Sequence, residues 1–237
     1  MAGGSAARTG EGTPGSWAPG TFLGSLGPAV AEELIGLGVR RRFASGRTIL
    51  REGAAASQVV LIAGGFVKVT TAVEGFGTLL GIRVPGEVIG EIGALTASPR
   101  NATAIACGTV STVIVPRAGF EAFLRRHPAV AQLIMAMIAR QLSWANRRRS
   151  DFAAFPAHIR LARLLTEVTE VCGRPRPDGS VEIVVPLSQP ELAAMIAIAK
   201  ATVQKAVHEL RGRGLISTAY RRVTVLDPAG LRRLADG

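Results

Sequence analysis

The sequence predicts an α+β protein with three parts. These are an N-terminal antiparallel β-roll of the jelly-roll type, a long dimerisation helix and a C-terminal winged helix-turn-helix. Three observations support this fold class. Short β-type runs cut by glycines fill residues 40–116. An apolar helical pattern begins after His127-Pro128. Residues 187–216 have the pattern of two short helices around a tight turn, followed by the start of a strand.

Length and composition set the outer bounds. The 237 residues suffice for two modest domains with real cores. The net charge of +11 and the pI near 11.3 favour a polyanionic partner. Residues 147–237 carry a net charge of +6 and the rest +5, so charge alone does not locate a nucleic-acid site. Cys107 and Cys172 are far apart, which argues against a disulfide scaffold, a metal site or an iron–sulfur cluster and favours a reducing cytosol.

Four segments are expected along the chain. Residues 1–20, rich in Gly, Ser, Ala and Pro, are interpreted as a flexible tail. Residues 21–126 should form the β-roll domain, 127–153 the dimerisation helix and 154–237 the winged helix-turn-helix domain. No N-terminal targeting signal is found, and the most apolar stretch is shorter than the about 20 residues that a membrane span needs. A cytoplasmic protein without a membrane partner is therefore expected.

The β-roll is predicted from short runs of strand-forming residues. Glycines such as Gly53 and Gly75 separate the runs. This spacing favours an antiparallel barrel or a jelly roll. The runs are 48–50, 59–62, 66–70, 79–82 and, closing the roll, 111–116.

The long helix is apolar on more than one face, which indicates burial on two sides. One side would cover the roll and the other would meet a second copy in a two-fold homodimer. The alternative is a core helix with one buried side. Arg147-Arg148-Arg149 should end the helix, where positive charge suits its dipole. A hinge at 152–156, a helix over 158–171 and a polar loop around 175–179 follow. The apolar positions are Val130, Leu133, Ile134, Met137, Ile138 and Leu142.

Residues 187–216 carry the pattern of a helix-turn-helix. Ser188 and Glu191 fit a capping box at the first helix, and residues 197–199 would turn the chain. The second helix, 200–211, would bury Val203, Ala206, Val207 and Leu210 and present a basic face made of Lys200, Ala201, Gln204, Lys205 and His208. Such a face suits the major groove of DNA. The alternative is an ordinary helical hairpin with a solvated face.

A basic β-hairpin after this segment favours the DNA-binding interpretation. Two β-rich runs, 215–218 and 223–226, flank Tyr220-Arg221-Arg222 and predict a wing. Between residues 200 and 222 there are six basic residues and one acid, which suits a phosphate backbone. The predicted contacts to double-stranded DNA are Ser188, Gln189, Lys200, Ala201, Thr202, Gln204, Lys205, His208, Arg221 and Arg222.

The order of roll, long helix and winged helix-turn-helix resembles the Crp–Fnr family of bacterial transcription regulators, over about residues 22–226. The stretch SQPELAAMIAIAKATVQKAVHELRGRGLI is similar to the family pattern throughout. Residues 86–95 and 99–104, GEVIGEIGAL and PRNATA, look like the family's phosphate-binding cassette for a cyclic nucleotide. The resemblance implies effector contacts from Gly90, Glu91, Ile92, Gly93, Arg100, Asn101, Gln141 and Asn146.

The chemistry of these residues is consistent with that role. Gly90 and Gly93 permit close backbone approach, and amides there can donate to an anion. Arg100 offers a planar fork for two phosphate oxygens, and Glu91 can accept from a ribose hydroxyl. The alternative is that the glycines serve barrel turns and that Arg100 pairs with a nearby acid such as Glu91.

Departures from the family pattern affect both sites. Asn101 stands where the family usually has Ser or Thr, and Ala145-Asn146 replaces hydroxyl side chains of the members that respond to cyclic AMP. Another cyclic nucleotide, another small anion or no ligand therefore remains open. In the second helix of the helix-turn-helix, Ala199 cannot cap, a loss of about 1 kcal/mol. Ala197 replaces a frequent turn glycine, and Ala201 removes an acid that would read cytosine.

The expected function is a homodimeric, allosteric transcription regulator that binds pseudo-palindromic operators. A small anionic effector in the roll would modulate its DNA affinity. The alternative is an effector-independent architectural DNA-binding protein that uses the roll only to dimerise. RNA polymerase is a candidate further partner. The sequence contains no nucleophile–base pair, Walker loop or GxSxG motif, so an enzyme is not expected.

Overall fold

The computed structural model describes residues 17–73 and 76–237. Residues 1–16 of the expected tail lie outside the described residues. The chain forms two compact units. The first is built from residues up to Leu142. The second runs over Ser143–Gly237, with the described part of 72–79 grouped with it. None of the described helices has the length and apolar character that crossing a bilayer requires.

The first unit is centred on a six-stranded antiparallel sheet. Its main strands follow the order β1-β6-β3-β4, while β2 pairs with β6 and β5 pairs with β3. A short 3₁₀ turn, Leu23–Ser25, precedes them. The elements are α1 (Pro28–Gly36), β1 (Val39–Phe43), β2 (Thr48–Leu50), β3 (Gln58–Val73), β4 (Phe76–Arg83), β5 (Val88–Ile89), α2 (Glu91–Thr96), β6 (Thr103–Pro116) and α3 (Arg117–Arg126).

Strand β3 differs from the prediction because it joins two expected strands into one. It runs through Gly64-Gly65, where its register against β6 shifts. Gly65 has a φ of 81°, and a Cβ there would clash with the carbonyl oxygen of Thr109. The glycines therefore bend the strand as a bulge rather than end it. The helices α1 and α3 were not predicted.

The core of this unit lies on both faces of β3. Val59 and Leu61 belong to one buried cluster, while Val60 and Ile62 belong to another. Continuous burial of neighbouring residues on one strand requires cover on both sides of the sheet. The first cluster also takes in Phe22, Leu34, Phe120, Phe123, Val130, Ile134 and Met137.

The long helix, α4, spans Pro128–Ala154, close to the range 127–153 expected from the sequence, and its role in dimerisation stays a prediction. The prediction that Arg147-Arg148-Arg149 ends it is wrong, because the helix continues to Ala154. The run therefore lies before the last turn, which contains no basic residue. The break falls at Phe155-Pro156, as expected for the residue before a proline.

The second unit contains the predicted winged helix-turn-helix and three elements that were not predicted. These are α8 and the two strands β7 and β8, which flank the polar loop expected around 175–179. The four strands follow the order β7-β8-β10-β9, and α5 packs against α7 and α8. The elements are α5 (Ala157–Cys172), β7 (Gly173–Pro175), β8 (Val181–Ile183), α6 (Gln189–Met195), α7 (Lys200–Gly212), β9 (Ile216–Ala219), β10 (Arg222–Val225) and α8 (Pro228–Asp236).

The last turns of α4 contact α5 through a hydrogen bond and an ion pair. Trp144 Nε1 donates to Glu167 at 2.8 Å, and Arg163 Nη1 lies 2.7 Å from Asp151 Oδ1. The guanidinium of Arg148 lies 3.7 Å from the centre of the Trp144 ring. Burial lowers the pKa of Arg148 to about 10, against the opposing effect of Glu167 and Asp151. The end of α4 thus belongs to the second unit.

Candidate nucleic-acid interface and effector pocket

The start of α6 is fixed by the predicted capping box. Ser188 Oγ accepts from the amide of Glu191 at 3.4 Å. In return, Glu191 Oε2 accepts from the amide and the hydroxyl of Ser188, each at 2.7 Å. The Ser188 hydroxyl is therefore engaged inside the protein, while Gln189 beside it is exposed.

The turn between α6 and α7 has the hydrogen bonds of a Schellman motif. Ile198 donates its amide to Ala193 at 3.0 Å, and Ala197 donates to Ala194 at 3.3 Å. Ala197 has a φ of 51°, the left-handed conformation that glycine adopts without strain. Ala199 caps α7 without a side-chain hydrogen bond, as its chemistry dictates.

Helix α7 divides into a buried face and an exposed face. Val203, Ala206, Val207 and Leu210 are all buried. Their burial fixes the orientation of the helix, so the opposite face must point to solvent. The predicted contact residues of this helix are all exposed: Lys200, Ala201, Thr202, Gln204, Lys205 and His208.

The single acid in residues 200–222, Glu209, has its partners within the protein. Glu209 is half-buried and pairs with Arg213 at 2.7 Å and with His158 Nδ1 at 3.2 Å. Its charge is therefore balanced within the protein. The exposed face of α7 keeps a net positive charge from Lys200 and Lys205, which suits contact with a polyanion.

The wing is a two-residue hairpin whose turn is held against the start of α6. Tyr220 and Arg221 form the turn, since Ala219 pairs with Arg222. Arg221 has a φ of 55°, a position that normally favours glycine or asparagine. Its carbonyl accepts from the amide of Leu187 at 3.0 Å, and its Nη2 lies 3.9 Å from Glu191 Oε2. Arg221 and Arg222 are both exposed beside α6.

In the first unit, two of the predicted effector residues, Gly90 and Glu91, lie beside a buried arginine, Arg100. Arg100 is 5% exposed. It donates through Nη1 to the carbonyl of Gly90 at 2.6 Å and through Nη2 to the carbonyl of Gln58. Glu91, the acid expected to pair with Arg100 in the alternative interpretation, adds an electrostatic attraction to these bonds with backbone carbonyls. Two of the five guanidinium N–H groups are used in this way.

The two glycines of the pocket are required by close packing. Gly90 has a φ of 82°, and a Cβ there would clash with Arg100 Nη1. A Cβ on Gly93 would lie 2.9 Å from that of Ala56. The glycines therefore allow the start of α2 to approach the guanidinium.

Glu91 is buried beside Arg100 and is also 5% exposed. Burial raises the pKa of its carboxyl, while Arg83 and Arg100 partly offset that effect. Sequence reasoning missed Arg83 as a neighbour because it lies on β4, outside the motif. It also missed Gln58, whose contribution is a backbone carbonyl and leaves no sequence signal.

The remaining predicted effector residues are less enclosed. Ile92 is half-buried and Asn101 is exposed. On α4, Gln141 is half-buried and Asn146 is exposed. Their contact with an effector stays a prediction.

Both sites lie within regions that match known domain families. Residues 40–127 match the cyclic nucleotide-binding domain, and residues 159–234 match the Crp-like helix-turn-helix domain. Transcriptional regulator LdrP of Thermus thermophilus is 31% identical over 197 residues, which cover 82% of this chain and 96% of that protein. The CRP-like cAMP-activated global transcriptional regulator of Mycobacterium tuberculosis is 26% identical over 194 residues, which cover 81% of this chain and 86% of that protein.

A solved structure shows the same relationship. The crystal structure of a CRP-family transcriptional regulator from Thermus thermophilus has a TM-score of 0.68 and 28% sequence identity. The match covers 83% of this chain and 97% of that one. The predicted order of antiparallel sheet, long helix and helix-turn-helix is therefore confirmed. The chain belongs to the Crp–Fnr family of DNA-binding transcriptional regulators, which is a family of transcription factors and not of enzymes.

Proposed function

We propose that the protein is a homodimeric transcription regulator that places α7 in the major groove of each half of a pseudo-palindromic operator. The observation that carries this proposal is the exposed, basic face of α7 above a fully buried apolar stripe. A reading helix needs both features, because base edges are reached only by side chains held outward on a fixed support.

The residues of this face suit different parts of the duplex. Gln204 can donate to and accept from the adenine N6/N7 edge. The methyl group of Ala201 suits the C5-methyl group of thymine. Lys200 and Lys205 supply point charges and lack the bidentate fork of arginine, so guanine is read less strongly. His208 is exposed further along the same face.

Other residues suit the phosphate backbone. Thr202 is exposed at the start of α7, and Arg221 and Arg222 are exposed in the wing. Gln189 is exposed at the start of α6, whereas the hydroxyl of Ser188 is already engaged by Glu191. Contacts of this kind position the protein without reading sequence. RNA polymerase is a candidate partner of the operator-bound dimer.

The dimer would form along the outer face of α4. The inner face buries Val130, Ile134 and Met137 in the core of the roll. On the outer face, Met135 and Leu142 are each 61% exposed and lie two turns apart. A second copy of the helix would cover this stripe, and the dimer would carry two copies of α7, one for each half-site.

A small anionic effector, in the first place a cyclic nucleotide, would bind beside Arg100. This proposal rests on the match to the cyclic nucleotide-binding domain and on three guanidinium N–H groups of Arg100 that make no hydrogen bond to the described part of the protein. Those groups can donate to phosphate oxygens. Glu91 would accept from a ribose hydroxyl. An effector changes DNA affinity only if it prefers one state of the dimer.

Departures from the family pattern bear on the identity of the nucleotide. The relative from Mycobacterium tuberculosis is described as cAMP-activated. In this chain, Asn101 and Ala145 remove hydroxyl groups at the positions that match the contacts of cyclic-AMP-responsive members. Cyclic GMP and cyclic dinucleotides are therefore tested alongside cyclic AMP.

Selection of bound DNA from a random pool, followed by footprinting, tests the DNA-binding proposal. The full chain should select an inverted repeat with half-sites about 10 base pairs apart. Lys205→Ala provides a variant with the same fold and weaker binding. Selection of a single, unsymmetric half-site would contradict the dimeric arrangement.

A second candidate function is an effector-independent architectural DNA-binding protein. It is favoured by the same departures at Asn101 and Ala145 and by the bonds that Arg100 already makes to carbonyls. Calorimetry with cyclic AMP, cyclic GMP and cyclic dinucleotides separates the two candidates. Arg100→Lys retains the charge but removes the planar fork, so it should weaken any true phosphate contact. If the heat of nucleotide binding were the same in Arg100→Lys as in wild type, the effector would not bind at Arg100.

A further inference from the structure

Tyr220, at the tip of the wing, is the single tyrosine of the chain and is 90% exposed. It is the most exposed of the large hydrophobic side chains in the described residues. An isolated apolar side chain on a surface is ordinary and needs no explanation. The setting of this ring is what distinguishes it.

The ring stands on a rigid support. The turn is closed by the pairing of Ala219 with Arg222, and Val223 behind it is buried. The carbonyl of Arg221 accepts from Leu187 at 3.0 Å, which ties the turn to the chain entering α6. Arg221 also holds a left-handed φ, a conformation that persists only when its surroundings enforce it. An aromatic side chain on such a turn presents apolar area with little entropy to lose.

The charges around the Tyr220 ring favour a negatively charged partner. Arg221 and Arg222 follow Tyr220 and are exposed. The nearby carboxylate of Glu191 accepts from Ser188 and lies 3.9 Å from Arg221. A polyanion can therefore approach the tip without repulsion. The part of DNA that offers apolar surface between two rows of phosphates is the deoxyribose wall of the minor groove.

We propose that Tyr220 is a specificity-determining residue that packs against the deoxyribose walls of the minor groove beside the segment read by α7. This inference rests on the proposed docking of α7 and extends recognition to flanking base pairs. A·T-rich flanks narrow the minor groove, so that both walls approach a ring placed there. Tyr220 thereby favours A·T-rich flanks without a hydrogen bond to any base.

The test compares full-length wild type, Tyr220→Ala, Tyr220→Phe and Arg222→Ala. Each binds the selected operator with either A·T or G·C flanks, over a series of salt concentrations. Tyr220→Ala should bind the A·T-flanked operator roughly tenfold more weakly, with a smaller loss on G·C flanks. Its salt dependence should equal that of wild type, because no charge is removed. Tyr220→Phe should retain most of the affinity.

Arg222→Ala is the matched control from the same hairpin. It should weaken binding equally on both flanks and lower the salt slope by about one. Equal affinity of Tyr220→Ala and wild type, an equal loss on both flanks, or a changed salt slope in Tyr220→Ala would each overturn the inference. Failure of the wild type to bind any selected DNA would instead overturn the proposed docking of α7. A thermal melting curve checks that Tyr220→Ala is folded.

Discussion

The exposed face of α7 and the surroundings of Arg100 hold their charges in opposite ways. Lys200 and Lys205 are exposed and stand on a buried apolar stripe. Arg100 and Glu91 are each 5% exposed. Both lie against the protein backbone, and each charge is felt by the other. An exposed charge contributes little to stability and remains available to a partner. A buried charge is costly to leave uncompensated. Removing one of its partners is therefore expected to lower the stability of the protein first.

The largest expected effect is that of Arg100→Ala on stability. The substitution leaves the carbonyls of Gly90 and Gln58 without their donor and removes one of the two positive charges that act on Glu91. The free energy of unfolding should fall by about 3–5 kcal/mol. Chemical denaturation measures the change.

Arg232→Ala is the control for that experiment. Arg232 pairs with Glu170 on the surface of the second unit and should change stability by less than about 1 kcal/mol. A similar small loss in Arg100→Ala would show that the pocket does not depend on its buried charge.

Lys205→Ala should have the converse behaviour. Removing this exposed charge should lower DNA affinity on the order of tenfold and reduce the salt slope by about one. Its melting temperature should stay within about 1 °C of wild type. Titration of a labelled operator at several salt concentrations provides the measurement. A loss of stability without a loss of affinity would place Lys205 inside the fold rather than on the reading face.

Glu91→Gln should stabilise the roll in a pH-dependent way. Burial raises the pKa of the Glu91 carboxyl in the folded protein above its ordinary value of 4.5. Ionisation of Glu91 therefore lowers the stability of the folded protein as the pH rises from about 4.5 through the folded pKa. The loss of stability is absent below pH 4.5 and complete above the folded pKa. The amide should raise stability by on the order of 1 kcal/mol at pH 7.5 and by little at pH 4.

Melting curves at pH 4 and pH 7.5 check this expectation. Glu170→Gln is the exposed control and should give the same small change at both values. If the gain from Glu91→Gln were equal at the two pH values, the charge on Glu91 would not be its source.

The smallest expected effect is that of Ala197→Gly in the turn before α7. Glycine removes the energetic penalty of the left-handed φ of 51° in the folded protein. It also gives the unfolded chain more conformational entropy, which opposes part of that gain in stability. The net gain should be about 0.5 kcal/mol, or roughly 1–2 °C in melting temperature. Ala122→Gly, inside α3, should instead lose about 1 kcal/mol. A loss at both positions would mean that the turn is not strained.

The helix-turn-helix was largely predictable because its signals are local. The capping box of Ser188 and Glu191 marks the start of α6, and the spacing of Val203, Ala206, Val207 and Leu210 sets the inner face of α7. The helix α8 has a local signal too, since Asp227 accepts from the amide of Gly230 at 2.8 Å and precedes a proline. The loop around 175–179 was predicted from its polar residues, whereas the strands β7 and β8 beside it are too short to give a pattern of their own.

The pocket was less predictable because its contacts are distant in the chain. Arg100 bonds the carbonyl of Gln58, which lies 42 residues away. Every residue type carries the same backbone carbonyl, so no pattern encodes the contact. The continuity of β3 was missed for a related reason. Gly64-Gly65 interrupts the local run of strand-forming residues, but hydrogen bonds to β6 on both sides of the glycines keep β3 a single strand.

The two tryptophans give each compact unit its own optical reporter. Trp17 packs against the core of the first unit, and Trp144 belongs to the second, with Arg148 over its ring and Glu167 on its indole nitrogen. The surroundings of the two indoles differ, so their fluorescence should respond differently to melting. With Trp17→Phe and Trp144→Phe, a single spectrometer can follow each half of the molecule as it unfolds.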